Sequence, residues 1–430
     1  MEIAGGVVDP AAIAAEAAAR ETPVVAWKIG DVEYDARVGR VRQELEARRL
    51  DALVLFHPIR IAYLSGFFHV STDRPMALVV PREGGAESLG ILVPHLEQEH
   101  VAAAHGVGRV WVYPEYPTGG TKHPMAHLAD LLAEMGLDRA GQAVGYDSDG
   151  YGDVQGYDGP GLSEVVAAGV QTARARDLVD RLRAVKSPAE LAFITESAVW
   201  ANLAHRLMHE KLALGRNEIE LALEASTEAS RAMVAALGPG YQPLTTAWGA
   251  PPALVMFHAG ANTAFPHGLG GGAGLRRGDV LVTGAVADVG GYFSELERTM
   301  LLGEPTAAFE RGFGQMLRLQ QAAFDALRPG RTLAEAEEDV AAAFAELGVA
   351  HLQRHHTGHG IGLEGHEWPF IDKGSTEVEI VENMVLTVEP GLYVPGLAGF
   401  RHSDTVVVRA TGVERLTPYP RDLASLVVEV

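Results

Sequence analysis

The chain has 430 residues, 47% of them hydrophobic, which is material for two to three domains at a loose prior of about 150 residues each. Its formal charge of -21 disfavours an electrostatic grip on nucleic acid, and the absence of cysteine excludes disulfides, thiolate nucleophiles, cysteine-ligated zinc and iron–sulfur clusters. Any chemistry therefore rests on His, Asp, Glu, Ser, Lys or Arg. The first twenty residues carry acids and no basic start, and no window approaches the roughly 18 uninterrupted apolar residues of a membrane span. A cytoplasmic enzyme or binding protein, with no nucleic-acid or membrane partner, is the expected class.

From Val38 the pattern alternates an amphipathic helix, VGRVRQELEARRLD, with apolar runs that read as buried strands at 52–56, 75–81, 90–94 and 109–114. A helix at 123–136, a strand at 142–147 and a Gly- and Asp-rich surface loop from Ser148 to Gly161 complete an α/β region. The register changes at DLVDRLRAVKSPAE, where Ser187, Pro188 and Glu190 supply a helix N-terminus with a capping box. The expected division is an Ala-rich N-terminal extension over 1–28, an α/β domain over 29–176 and an α+β domain over 177–430. Helices are predicted at about 188–213, 217–236, 307–327 and 333–347, the last with its own box at Thr332 and Glu335. Strand-like runs follow at 254–260, 279–303, 384–396 and 400–417.

The second half gathers histidines beside carboxylates. In HHTGHGIGLEGHE (355–367), Gly358, Gly360 and Gly362 oppose a helix and suggest a loop whose backbone approaches a ligand, while strand geometry puts His355 and His359 on one face. In SELERT (294–299), alternation puts Glu295 and Glu297 on one strand face, where two acids repel unless a cation sits between them. A solvated face beside Arg298 is the bland alternative. Glu389, alone among apolar residues in LTVEPGLYV, needs a cationic or hydrogen-bonding partner. Arg401 and Asp404 read as an ion pair that positions the RHSD strand, and Trp368 and Phe370, near His366, as pocket walls.

As an ordered set, KSPAE (186–190), FPHG (265–268), SELERT, HHTGHGIGLEGHE, VEPGLY (388–393) and GFRHSDTVVV (399–408) resemble the pita-bread family of aminopeptidase P, prolidase and creatinase. IAYLSGF (61–67) and RPMALVVP (74–81) resemble that branch's smaller N-terminal domain. The resemblance implies an α/β N-terminal domain followed by an α+β pita-bread domain, and a homodimer. Peptidases of the family hold two divalent metals with two Asp, one His and two Glu. Here those positions fall on Gly284, Glu295, His359, Glu389 and Ser403, so the pattern is broken at both ends. A metal pair is not expected. One ion (Mn, Zn or Fe) at Glu295, His359 and Glu389 stays open, with Asp288 or Asp404 as conceivable rescuers of a weak site.

The remaining pattern resembles the metal-independent creatinase branch most. That likeness implies a C–N bond hydrolase in which Glu297 and Glu389 hold a small guanidino or amidino substrate and His267 serves as base and acid. His359 and Glu389 match further catalytic groups, His355, His359 and His366 shape the pocket and donate to the developing oxyanion, and Arg401 and Phe370 are further candidates for substrate contact. Arg74 falls where creatinase reaches the substrate carboxylate from the partner subunit; the second such arginine falls on Phe370, so creatine itself is not expected. An Xaa-Pro aminopeptidase or dipeptidase is the alternative, followed by a catalytically inactive binding relative or a lyase.

Overall fold

The computed structural model describes residues 27–114, 122–151, 157, 159–244 and 250–430. The proposed extension over 1–28 lies outside the described residues except for Trp27 and Lys28. Trp27 donates its indole N–H to Leu237 O and packs against Phe193. Contacts divide the chain into two compact units, one spanning Ile29–Leu182 and the other containing Arg183–Val430. The division placed at 176/177 thus falls in the first turn of a helix, Arg176–Ala184, and the units part near that helix's end.

In the smaller unit, helix α1 (Asp31–Arg48) leads into β1 (Ala52–Leu55) and α2 (Pro58–Ser65). Then follow β2 (Ala77–Pro81), β3 (Leu89–Pro94), β4 (Val107–Tyr113), α3 (Pro124–Glu134), β5 (Ala143–Tyr146) and β6 (Gln171–Arg174). The six strands form one sheet in the order β4-β3-β2-β1-β5-β6, with β1 fully buried, as a continuous apolar run demands. The segment after Ser148 is not purely a surface loop. Tyr151 and Tyr157 are buried in this unit's core, because their rings cover the apolar face of α3 while Tyr151 Oη donates to Thr72 O.

The larger unit opens with α4 (Pro188–Lys211), capped by the predicted Ser187–Glu190 box, and α5 (Glu218–Leu237). Strands β7 (Ala253–Ala259), β8 (Val280–Val289) and β9 (Tyr292–Leu302) follow, then helices α6 (Ala307–Ala326) and α7 (Leu333–Glu346), the latter with the Thr332–Glu335 box. The remaining strands are β10 (Gly358–Gly360), β11 (Glu367–Ile371), β12 (Val385–Val388), β13 (Leu392–Val394), β14 (Ala398–Phe400), β15 (Ser403–Arg409), β16 (Gly412–Arg415) and β17 (Val427–Val428). The main sheet runs β11-β10-β12-β15-β9-β8-β7, backed by helices.

The glycines of 358–362 do other work than expected. A Cβ on Gly358 would lie 2.0 Å from Thr387 O, and one on Gly360 would lie 2.7 Å from Glu367 O. They let three strands close on one another around His359, and no ligand approach is needed to explain them.

Candidate active site

Strand register brings the acids together. Glu297 on β9 lies opposite Gly284 on β8 and opposite Ser403 on β15, and Glu295 shares its face two residues earlier. Glu389 ends the β12 run, and His359 rises from β10 beside it. Glu295, His359 and His366 offer donor atoms within 4.8 Å of one another, as do Glu295, Glu297 and Glu389. The bland reading of SELERT as a solvated face fails, since Arg298 points the other way into the core.

His359 is fully buried. Its backbone N–H donates to Thr387 Oγ1 at 3.0 Å and its Nδ1–H donates to Gly360 O at 2.9 Å, which leaves Nε2 aimed at the acids. Nε2 lies 3.1 Å from Glu389 Oε1 but off hydrogen-bond alignment, so this buried nitrogen has no hydrogen-bond partner. Burial opposes its charge, yet Glu389 and Glu295 raise its pKa to about 9. Burial likewise opposes ionisation of Glu389, but His359 and Arg401 hold it down at about 2. Burial and the neighbouring acids push Glu295 up, and push Glu297 up to about 8 although Arg401 faces it. Three carboxylates thus meet one guanidinium and one imidazole, and the cluster is short of positive charge.

Arg401 occupies the centre. Its Nη2 donates to Glu297 Oε1 at 2.6 Å, its Nε lies 2.5 Å from Glu297 Oε2, and Glu389 Oε2 is 3.9 Å away. Nη1 donates to Pro266 O and to Tyr393 Oη. Because His355 Nδ1–H donates to His356 O at 2.7 Å, His355 Nε2 accepts from Tyr393 Oη–H at 2.8 Å. A chain of donors therefore runs from Arg401 through Tyr393 to a neutral His355, whose pKa burial lowers.

Three expectations are corrected here. Arg401 and Asp404 do not pair: Asp404 is fully buried against Arg298, with Arg298 Nη2 donating to Oδ1 at 2.8 Å. Glu297 is not a free grip for a substrate cation, because Arg401 already holds both of its oxygens. Asp288 is no metal rescuer either, since it accepts from Gly291 N in the β8–β9 turn, and Asp404 is committed to its core pair.

Other predicted residues sit at the margin. His366 is exposed and stacks on His359 with ring centroids 3.8 Å apart, and partial burial and the His359 charge lower its pKa. His267 is exposed in the turn whose Pro266 carbonyl binds Arg401, near enough to His366 for its charge to act there. Phe370 pairs with His359 across β10–β11 and packs on His356. Arg74 lies in the smaller unit, paired with Asp73 at 3.0 Å. The sequence reading passed over Tyr393 and Gln320. Gln320, mid-helix on α6, donates to Val388 O, His402 O and Asp404 Oδ2, so it ties β12 to β15 under the site. Its signal was a lone polar residue on the buried face of α6.

The family's five-donor metal site fits these residues in part. The unpartnered, buried Nε2 of His359 facing Glu295 and Glu389 has the donor chemistry of one divalent ion. A second ion does not fit: Gly284 has no side chain, Ser403 Oγ donates to Glu295 Oε1 at 2.6 Å, and Glu297 is closed by Arg401.

A two-unit chain of this topology, with acids and a histidine on the inner strands of the larger sheet, defines a pita-bread hydrolase fold. The chain belongs to metallopeptidase family M24, whose model matches residues 192–410, and a creatinase/prolidase N-terminal domain model matches 37–185. It is 30% identical over 413 residues to the probable dipeptidase PepE of Mycobacterium tuberculosis, covering 92% of this chain and 98% of that protein. It is 32% identical over 247 residues to the Xaa-Pro dipeptidase of Pyrococcus furiosus, covering 57% of this chain and 67% of that one. The crystal structure of dipeptidase PepE from Mycobacterium ulcerans superposes with a TM-score of 0.78 at 27% identity, covering 94% of this chain and all of that one.

Proposed function

We propose that the chain is a dipeptidase-type peptide hydrolase that works with one divalent cation held by Glu295, His359 and Glu389. The observation that carries this reading is the buried His359 Nε2, which makes no aligned hydrogen bond and faces a carboxylate cluster short of positive charge. Full-length similarity to a dipeptidase supports a peptide substrate over the guanidino or amidino compound suggested by the creatinase likeness. The Arg401–Glu297 pair supports it too, because it removes the acid that such a substrate would need.

When bound, the cation supplies Lewis-acid polarisation of the scissile carbonyl and a lower pKa for the attacking water. The protein's own groups do the rest. Glu389 stays ionised across the neutral range, His359 carries on Nε2 a proton that a bound cation would displace, and burial with the neighbouring acids favours the neutral form of Glu295. Tyr393, fixed between Arg401 and His355, presents a hydroxyl of fixed orientation beside the cluster. His366 and His267, both exposed, are placed to meet the substrate's polar ends. The reading includes a homodimer in the cytoplasm, in which Arg74 of the partner subunit meets the substrate carboxylate.

The test pairs metal content per chain, by elemental mass spectrometry after loading with Mn, Zn or Fe(II), with hydrolysis of a dipeptide panel that includes Xaa-Pro members. One ion per chain and cleavage lost in His359→Ala is the expected result. Two ions per chain would overturn the single-ion site. One ion without cleavage of any dipeptide would overturn the peptidase reading in favour of a binding relative.

A further inference from the structure

A second feature of the larger unit has no part in the site above. A groove of 570 Å³ lies between the end of α6, the β15–β16 hairpin and Arg421, and four arginines line it: Arg328, Arg409, Arg415 and Arg421. In a chain of charge -21, such a concentration of guanidinium groups calls for a reason.

The two lining acids offset only two of the four charges. Glu414 is taken by Arg409, whose Nε lies 2.8 Å away, and Asp325 accepts from Gln321 Nε2. The nearest buried acid is Asp404, and its oxygens are already filled: Oδ1 accepts from Arg298 Nη2 and Thr417 Oγ1, and Oδ2 from Gln320 Nε2. Arg415 Nη1 and Arg421 Nε stand 3.7 and 3.9 Å from those same oxygens, beyond hydrogen-bond reach. One carboxylate therefore faces three guanidinium groups.

The donors left over point to a ligand. The Arg415 guanidinium makes no hydrogen bond among the described residues. Arg421 donates through Nε alone, to Gln320 Oε1, with its guanidinium 4.9 Å above the Phe324 ring; Arg328 donates through Nε alone, to Asp325 O. Burial lowers the Arg421 pKa, with Asp404 opposing and Arg415 and Arg298 adding to the shift, as expected where like charges crowd.

We infer that this groove binds a phosphate-class oxyanion, held by Arg415 and Arg421 with Arg328 at its edge. Two positive charges in excess match a dianion, and planar guanidinium forks match its oxygens bidentately. A long polyanion is disfavoured by the charge of the rest of the chain. The ligand would lie behind the active site, because Asp404 follows Ser403 on β15 and its partner Arg298 follows Glu297 on β9. This inference does not depend on the peptidase reading.

The experiment is calorimetric titration of the full chain with inorganic phosphate and, separately, with adenosine monophosphate, at constant ionic strength set with chloride. Arg415→Met is the first variant, since it removes no hydrogen bond of the fold, and Arg328→Gln is the second. Saturable binding at one site, weakened by about tenfold or more in Arg415→Met, is the expected result. Tighter binding of the nucleotide would identify a phosphorylated metabolite stacked near Phe324, and equal binding would identify free phosphate. No saturable binding up to about 10 mM, or affinity unchanged in both variants, would overturn the site.

Discussion

Arg401→Met replaces the guanidinium at the heart of the acid cluster with an uncharged chain of similar length. Arg401 contacts Glu297 through two nitrogens and stands 3.9 Å from Glu389. Unit charges about 4 Å apart interact by about 4 kcal/mol at an effective dielectric of 20. Removing one partner of a buried pair costs about 3–5 kcal/mol, and here the charge left under-compensated is the ionised Glu389, since Glu297 keeps its proton below about pH 8. The metal-free variant should therefore lose that much stability, read from the urea midpoint by fluorescence of Trp200, which is fully buried in the same unit. The cation should now be held more tightly, since a positive neighbour is gone and Glu297 is released. Calorimetric titration with Mn(II) should show higher affinity, and saturating metal should restore much of the lost stability. Opposite signs for metal-free stability and metal affinity are the signature of an electrostatic role. A variant that loses both together, or changes metal-free stability by less than about 1 kcal/mol, would refute this account of Arg401.

Further outcomes follow from the same geometry. His359, raised to about 9, contributes stability that is complete below its unfolded value near 6.5 and is lost as pH rises through 9. Glu297, an acid raised to about 8, folds with its proton on, so stability also falls as pH climbs from about 4.5 to 8. Melting temperature in chelator should therefore drop steadily across that range, and bound Mn(II) should flatten the slope; a chelated protein that is most stable at about pH 9 would contradict both shifts. Glu367→Gln leaves Arg183 and Lys186 facing a neutral amide in a buried site and should cost about 3–5 kcal/mol in urea unfolding. Gly358→Ala sets a Cβ against Thr387 O, so β10 must move; metal content per chain should fall with the urea midpoint, and normal metal content would show that β10 yields without moving His359. If Arg74 serves uniform substrate binding, Arg74→Ala should raise KM more than it lowers kcat in the dipeptidase assay, and the reverse pattern would argue against a carboxylate contact.

Much of this architecture was legible in the order of residues. Period and caps located the helices, since Ser187–Glu190 and Thr332–Glu335 are local devices whose geometry depends on four consecutive residues. Period-two alternation put Glu295 and Glu297 on one face, and the apolar surroundings of Glu389 required a charged partner, which His359 and Arg401 supply. Which arginine meets which acid was not legible. Arg401 lies just before β15 and Asp404 within it, three residues on, and this odd spacing in extended chain sends them to opposite sides, one to Glu297 and one to Arg298. The glycines around His359 were read as letting backbone approach a ligand, although they mark crowding by β11 and β12, whose pairing with β10 only the folded sheet reveals. Gln320 escaped notice because a glutamine inside an amphipathic helix gains its meaning only when the ends of β12 and β15 are packed against it.

Gly284, Glu297 and Ser403 form a single row across β8, β9 and β15. Along that row only the middle place carries a carboxylate, and Glu295 reaches toward Ser403. Neighbouring strands in register offer interchangeable attachment points for one negative charge, so an acid can migrate sideways by a strand spacing of about 4.8 Å while the backbone stays as it was. Gly284→Asp and Ser403→Glu would each set a carboxylate one strand to the side of Glu297, and the sheet would serve as a pegboard on which the composition of a cation site can change without any change of fold.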